Sequence, residues 1–595
     1  VKLGAFLTSF FRREDRAAPQ PIAVPASAPA SRSEAESRAR EGIARYESGD
    51  LAGAARLLEE SLERAHDCAP AHYHLGLIAA QRGDAEDALD RFRLAIHFSP
   101  SAAAAHRELA RTLQRLGDLE QAEEACARAC ALDPGDAMNH FAAAGVSKAR
   151  GDLEGAVPRY EAALRCKPDF TDALCNLGFV LQQLGRGSEA LRTFDRALAL
   201  APDFAEVIQN QGLVLLDHGD PAGALERFRR AGALRPGEPA VVSAEGHALR
   251  DLGRLDEALR AYDAVLARQP DYGDAIRNRS QVLLAMGDFP RGWVEYERRF
   301  EASGNALRAF PFPRWAGEAM HEEAVLVHAE QGLGDEIMFA SCLPDVLARA
   351  PRCVVECNVR LAGLFRRSFP DARVHGGLKS DAHDWLAQHP DIGRQISIGS
   401  LPGLLRKGAA EFPAHAGYLA ADPGRAAAWK ARLAALGSGL KVGISWRGGT
   451  HRTRMQLRSI PPAEWRPLLV RPAARFVSLQ YGEVGPALAE FEKHCGVTVA
   501  HWPEAVANLD ETAALIAALD LVITVDNTTA HLAGAIGKPV WVLLHYAPEW
   551  RWLARGERMP WYPSARLFRQ TGPGGWSTVI PGVGDALDAV PSTSV

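Results

Sequence analysis

Asp335 is the first residue whose type and setting could do chemistry. It closes the stretch His328-Ala-Glu-Gln-Gly-Leu-Gly-Asp335, in which an apolar run gives way to a glycine turn and then to a helical pattern. A carboxylate placed there can take the proton from an acceptor hydroxyl. Aspartate is also favoured at a helix start simply because it caps free amides. That position stabilises the carboxylate and weakens it as a base, an effect that burial in a closed cleft offsets. Glu330 on the same loop is a second candidate base. The Gly332-x-Gly334 pair lacks the third glycine of a dinucleotide-binding turn.

A second stretch, Lys441 to Pro462, contains no acidic residue. It carries Arg447, Arg452, Arg454 and Arg458 with Lys441 and His451. Guanidinium groups suit two-point contacts with phosphate or carboxylate, so a glycine-containing basic loop after a strand reads as an anion site rather than a solvated loop. A third stretch, Leu521 to Pro539, runs from an apolar strand into Asp526-Asn527-Thr528-Thr529 and then His531 on a helix. Free amides at such a start can hold a diphosphate, and the two threonines add hydroxyl donors. Ser478-Leu-Gln480-Tyr481 follows another strand and could border a base pocket. Trp550, Trp552, Trp561 and Tyr562 could stack on a sugar or pack as core.

These loops need a scaffold, and the chain is long enough to build one. At roughly 100–200 residues per domain, 595 residues make about three to five domain-sized units. A net charge of −5 argues against general nucleic-acid binding, and no run reaches the ~18 apolar residues of a membrane span. Lys2, the apolar run Leu3 to Phe11, and Arg12-Arg13 read as a frayed tail, and residues 17–33, rich in Ala, Pro and Ser, as a disordered linker. Nine scattered cysteines, with no Cys-x-x-Cys pair, read as core thiols in a reducing, cytoplasmic compartment. Cys126 and Cys130 stand one helical turn apart, and Cys353 and Cys357 share a strand-like run.

The first half repeats. Gly49, Gly83, Gly117, Gly151, Gly185, Gly219, Gly253 and Gly287 are each 34 residues apart. Alanine follows five residues later in all but the last, where Gly292 stands. A bulky residue follows nine later (Leu58, Phe92, Tyr160, Phe194, Phe228, Tyr262, Tyr296; Cys126 is the exception). Pro100, Pro134, Pro168, Pro202, Pro236 and Pro270 follow seventeen later. Glycine permits a tight inter-helix turn, alanine a close approach, the bulky residue fills the gap and proline ends the second helix. This pattern resembles the tetratricopeptide repeat over residues 35–303, in eight copies, and implies an α-solenoid with a concave face. The eighth copy is degenerate, with Arg299 at a small-residue position, as suits a last repeat that packs on something new. Asn176, Asn210 and Asn278 share one slot, interrupted by Ala244. Amides there could grip an extended peptide backbone or be ordinary solvated residues. The series resembles the ladder in the repeat arm of the O-linked N-acetylglucosamine transferases.

The second half changes character, and all twelve tryptophans lie at or after Trp293. Strands are expected at Ala324–Ala329, Arg352–Asn358, Lys441–Trp446, Arg475–Gln480, Leu521–Val525 and Val540–Leu544, with helices between several of them and a connecting helix over Pro423–Leu436. That alternation predicts parallel α/β sheets, whose ligands sit beyond the carboxyl ends of the strands. Asp526-x-x-x-x-His531-Leu-Ala-x-Ala-x-Gly537-x-Pro539 resembles the signature of family 9 glycosyltransferases, the heptosyltransferase group, and Gly334-Asp335 matches its amino-terminal Gly-Asp. Asn527-Thr528 departs from the Thr-Gly or Ser-Gly pair usual in that group, which puts the donor sugar in question.

The resemblance implies a GT-B fold of two Rossmann-like halves, an acceptor half at 304–422 and a nucleotide-sugar half at 423–595, after a 1–34 linker and the repeats. It implies inversion at the anomeric carbon with Asp335 as base. The donor contacts it implies are Gly334, Arg447, Arg454, Arg458, Gln480, Asp526, Asn527, Thr528, Thr529 and His531. No Asp-x-Asp occurs, which agrees with an enzyme that uses no metal and no cofactor beyond its nucleotide-sugar donor. The leading expectation is a protein O-glycosyltransferase. Its repeat arm would capture a polypeptide for modification on Ser or Thr, with flagellin the sharpest candidate acceptor and a nonulosonic acid a candidate sugar. An envelope glycan or glycolipid as acceptor, and a non-catalytic scaffold, are the alternatives.

Overall fold

The computed structural model describes residues 29–302, 308–377, 383–449, 455–572 and 574–591. The chain forms two compact units, residues 1–200 and 201–595.

The first unit is helical. Ten helices, from Pro29–Glu47 to Gly187–Leu200, form five pairs. The first begins at Pro29, inside the stretch that the composition marks as linker. At every pair's turn the marker glycine takes a left-handed backbone, with φ between 75° and 86° from Gly49 to Gly185. In the first four pairs the residue after it caps the second helix, and in the fifth Arg186 stands there. Asp50, Asp84, Asp118 and Asp152 each accept from the backbone N–H three positions on. Ala54, Ala88, Ala122, Ala156 and Ala190 are fully buried between the helices. Phe92 lies against Gly76 of the partner helix, where an added Cβ would stand 2.7 Å from its ring. The period thus encodes a turn, a cap and a contact.

The second unit opens with three more pairs: Ala205–Asp217 with Pro221–Leu234, Pro239–Asp251 with Leu255–Arg268, and Gly273–Ala285 with Phe289–Glu297. Two all-parallel sheets follow. The first has the order β3-β2-β1-β4, from β1 (Ala324–His328), β2 (Cys353–Asn358), β3 (Ala372–Gly377) and β4 (Ile392–Ser397). The second has the order β6-β5-β7-β8-β9, from β5 (Leu440–Ser445), β6 (Ala474–Ser478), β7 (Leu521–Val525), β8 (Val540–Leu544) and β9 (Ala565–Arg569). All six expected strands are present. β3, β4 and β9 are additional, and each lies at a sheet edge. The connecting helix spans Pro423–Ala434 and is capped by Asp422.

One buried apolar cluster joins the last repeat to both sheets. Trp293 meets Trp550 and Trp561 edge-on, and its indole N–H donates to the Arg406 carbonyl at 2.9 Å. Trp550, Trp552, Trp561 and Tyr562 are all buried, so packing consumes them. Cys353 and Cys357 lie inside β2 and Cys126 inside the array, all buried, and burial pushes the Cys126 and Cys353 thiols up to about 12, which makes them inert; Cys68, Cys130 and Cys175 are only half-buried and Cys166 is exposed, so these four are not the expected core thiols.

Candidate functional site

The loop after β1 leads into the short helix Leu333–Phe339. The loop after β7 leads into the helix Thr528–Ile536. These two starts touch. A Cβ on Gly334 would stand 2.9 Å from Cδ2 of His531, so only glycine lets the helices approach this closely. Gly534, near the end of the second helix, likewise makes room for the Tyr562 ring. Residues almost two hundred positions apart are thereby brought into one site.

Asp335 is mostly buried. Its Oδ1 accepts from Nε of Arg551 at 2.5 Å, and its Oδ2 accepts from the Gly332 N–H at 3.3 Å. Arg551 stands in the short helical turn Trp550–Trp552, after β8. It reaches Gln331 Oε1 at 3.4 Å, lies over the Trp550 ring, and approaches Glu549 at 3.6 Å. Sequence reasoning noted the tryptophans on either side and passed over the arginine between them; its place after a buried strand was the available signal.

Glu330, the other candidate base, is spent. Arg299 holds it with two bonds, Nε to Oε1 at 2.6 Å and Nη2 to Oε2 at 2.7 Å. Ser397 Oγ and Gln331 Nε2 donate to it as well. Burial alone would raise its pKa, but Arg299 and these donors hold the carboxyl below its ordinary range. The out-of-pattern Arg299 of the eighth repeat thus docks that repeat on the β1 loop.

The basic stretch divides. Arg458 binds Asp526 through Nε–Oδ1 at 2.8 Å and the Asp526 carbonyl through Nη2 at 2.5 Å. Asp526 is buried, and burial outweighs Arg458 to raise its pKa. The pair is therefore internal. Arg447 meets no acidic side chain among the described residues; its Nη2 donates to the carbonyls of Tyr481 and Glu483, at 3.3 and 3.1 Å. His451, Arg452 and Arg454 lie outside the described residues.

Gln480 sits at the end of β6, where its Oε1 accepts from Ser445 Oγ and from the N–H groups of Trp446 and Arg447. It shapes the β5 loop. Asn527 is the helix cap: its Oδ1 accepts from the N–H groups of Thr529 and Ala530 at 2.9 and 3.3 Å, and its Nδ2 donates to Ser445 Oγ and the Arg447 carbonyl. Two amides expected to be free for a diphosphate are thus already satisfied. Thr528 is half-buried and Thr529 buried at the same helix start.

His531 is buried, with Nδ1 against the Tyr562 hydroxyl at 2.9 Å. Burial, reinforced by Arg551 and Arg458, pushes its pKa down to about 3. His328, bonded to Gln395, is pushed down to about 4, chiefly by burial. Both are neutral when folded and take up protons near their ordinary pKa when unfolded. The unfolded chain then binds more protons, so stability is full above pH ~6.5 and falls with acidity, at about 1.4 kcal/mol per pH unit per histidine. Thermal or urea unfolding between pH 7 and 5 should show this slope. His531→Gln should reduce it by one histidine's share, and an unchanged slope would refute the assignment.

In the first unit Asn176 is engaged, accepting from Lys148 Nζ at 2.7 Å and donating to the Asp172 carbonyl at 2.9 Å. In the second, Asn210 and Asn278 are half-buried with no side-chain hydrogen bond among the described residues. Among the described residues no cluster of three or more His, Cys, Asp or Glu is arranged to hold a metal, and no helix is long and apolar enough to cross a membrane.

Family models described as tetratricopeptide or TPR repeat match residues 40–102, 103–136, 147–185, 171–204 and 215–278. The helical array is built of tetratricopeptide repeats. Protein FlbA of Caulobacter vibrioides is 37% identical over 325 residues, covering 52% of this chain and 54% of that protein. The chain thus spans about half the length of this curated relative. Among solved structures, YrrB, described as a TPR protein with an unusual peptide-binding site, is 26% identical, with a TM-score of 0.28 over 31% of this chain and 96% of its own. PilW, a type IV pilus biogenesis factor, is 22% identical, with a TM-score of 0.32 over 35% of this chain and 95% of its own.

Proposed function

We propose that residues 304–595 form a GT-B glycosyltransferase and that the chain is an inverting protein O-glycosyltransferase, its tetratricopeptide array binding the polypeptide acceptor. One observation carries the reading. The two segments that resemble family 9 glycosyltransferases, Gly334-Asp335 and Asp526 to Pro539, come from different parallel sheets and meet through Gly334 and His531. Parallel sheets bind ligands at their carboxyl ends, which is where this contact lies.

In the proposed reaction the oxygen of a Ser or Thr hydroxyl attacks the anomeric carbon of a nucleotide sugar. The bond from that carbon to the phosphate oxygen breaks, and its electron pair leaves with the nucleotide. The hydroxyl proton passes to Asp335. Charge developing on the phosphate is met by Arg447 and by the dipole of the helix Thr528–Ile536, whose Thr529 and Ala530 amides Asn527 already holds, with Arg454 as a further candidate. Arg458 acts by fixing Asp526 beneath that helix. The reaction so written uses no metal. Flagellin is the proposed acceptor to examine first, a nonulosonic acid the proposed sugar, and the cytoplasm the proposed compartment.

Intact-mass spectrometry of flagellar and surface proteins, with and without the gene, tests this. Loss of a sugar-sized mass from one protein on deletion is the expected result. Unchanged masses for every protein would overturn it and leave a glycolipid acceptor or a scaffold, which nucleotide-sugar binding would then separate.

A further inference from the structure

Among the described residues, the non-glycine positions with a left-handed backbone are Gln331, at φ 63°, and Leu553, at φ 57°. They flank one contact. Gln331 lies on the Asp335 loop and bonds Arg551, and Leu553 ends the turn that carries Arg551. Strained backbone persists where the surroundings hold it, and it gathers at functional sites. Here it holds the turn that delivers one guanidinium to one carboxylate.

Arg551 also lines a cavity of about 490 Å3, together with Glu330 and Arg299; Asp335 is not in the lining and is joined to it through Arg551. Gln281 and Tyr296 of the last repeat form one side, and His328, Gln331 and Trp550 form others. Such a volume is in the range of small-ligand pockets. His328 is only 3% exposed, and its Nδ1 has no partner among the described residues. With Nε2 donating to Gln395 Oε1 at 3.0 Å, Nδ1 is left as a bare acceptor.

We propose that Arg551 is a positioning residue that orients the Asp335 carboxylate, and that the cavity it lines is the path by which the acceptor segment reaches the Asp335 loop, with the last repeat as its outer wall. This rests on the glycosyltransferase reading above. A base is effective when a further group fixes its direction, and Arg551 with the Gly332 N–H fixes both oxygens of Asp335. The ligand class is a short polypeptide segment carrying a Ser or Thr, passing from the last repeat to the loop after β1.

The test adds purified full-length protein to an extract of the deletion strain, which supplies donor and unmodified acceptor, and follows mass gain on the acceptor. Arg551→Ala should lower the maximal rate about 100-fold, with the half-saturating acceptor level within about twofold. Arg551→Lys should recover some of that rate. Gln281→Trp, which fills the cavity from the array side, should raise the half-saturating acceptor level about tenfold, with the maximal rate little changed. Melting temperatures check folding. If Arg551→Ala misfolds, Arg551→Lys and Gln281→Trp decide the matter. An Arg551→Ala rate within threefold of wild type, or a Gln281→Trp protein with unaltered acceptor dependence, overturns the proposal. Absence of transfer by the wild-type protein fails the glycosyltransferase reading instead.

Discussion

Asp335→Asn is expected to lower sugar transfer by about 10²–10⁴-fold, the contribution of a well-placed general base. The substitution is nearly isosteric. An asparagine oxygen can still accept from the Gly332 N–H, and Arg551 keeps Glu549 at 3.6 Å, so the site should stay folded. The two candidate bases differ in what remains to them. Glu330 receives two bonds from Arg299, one from Ser397 and one from Gln331, which occupies its lone pairs. Asp335 receives one charged bond and one long amide bond, which leaves acceptor capacity for a hydroxyl proton. Initial rates of mass gain on the acceptor, measured beside melting temperature, check the expectation. More than a tenth of wild-type rate in a folded Asp335→Asn protein would remove Asp335 as the base.

The array was legible because its signal is repeated. Gly49 to Gly287 mark eight turns by a property only glycine supplies cheaply, and each takes the expected left-handed backbone. The interior strands were legible for a related reason. β1, β7 and β8 are buried along their whole length and read as apolar runs, interrupted only by the terminal His328 of β1 and by Thr524 in β7. β3, with the sequence Ala-Arg-Val-His-Gly-Gly, is half-buried at an edge and offers no such run. β4 and β9 mix arginine and glutamine or phenylalanine for the same reason. At the candidate site, residue type singled out Asp335, Asp526 and His531, but it could not tell which charges would meet. Arg458 met Asp526, and the arginine that met Asp335 came from a loop marked only by its tryptophans. Long-range pairing depends on how two sheets face each other, and no local pattern carries that.

Arg299→Ala is expected to cost the second unit about 3–5 kcal/mol, the loss typical of breaking a buried pair by removing one partner. Arg299 is only 9% exposed and Glu330 16%, so neither charge is solvated when alone. Arg299 also donates to Glu297, to Ser400 and to the Tyr296 carbonyl, and lies over the Tyr296 and Phe300 rings. Its removal therefore strands a carboxylate and opens the seam between the last repeat and β1. Glu330→Gln in the same chain removes the stranded charge while keeping the shape, so the double variant should be more stable than Arg299→Ala alone. Urea unfolding followed by tryptophan fluorescence reads this seam, because Trp293 and Trp550 pack across it. A single variant within 1 kcal/mol of wild type (about a fivefold change in the folding equilibrium) would mean that water reaches the pair and that the apolar cluster alone docks the repeat. If the clamp does hold, the same variant should also slow transfer, because Glu330 and Gln331 anchor the loop on which Asp335 stands.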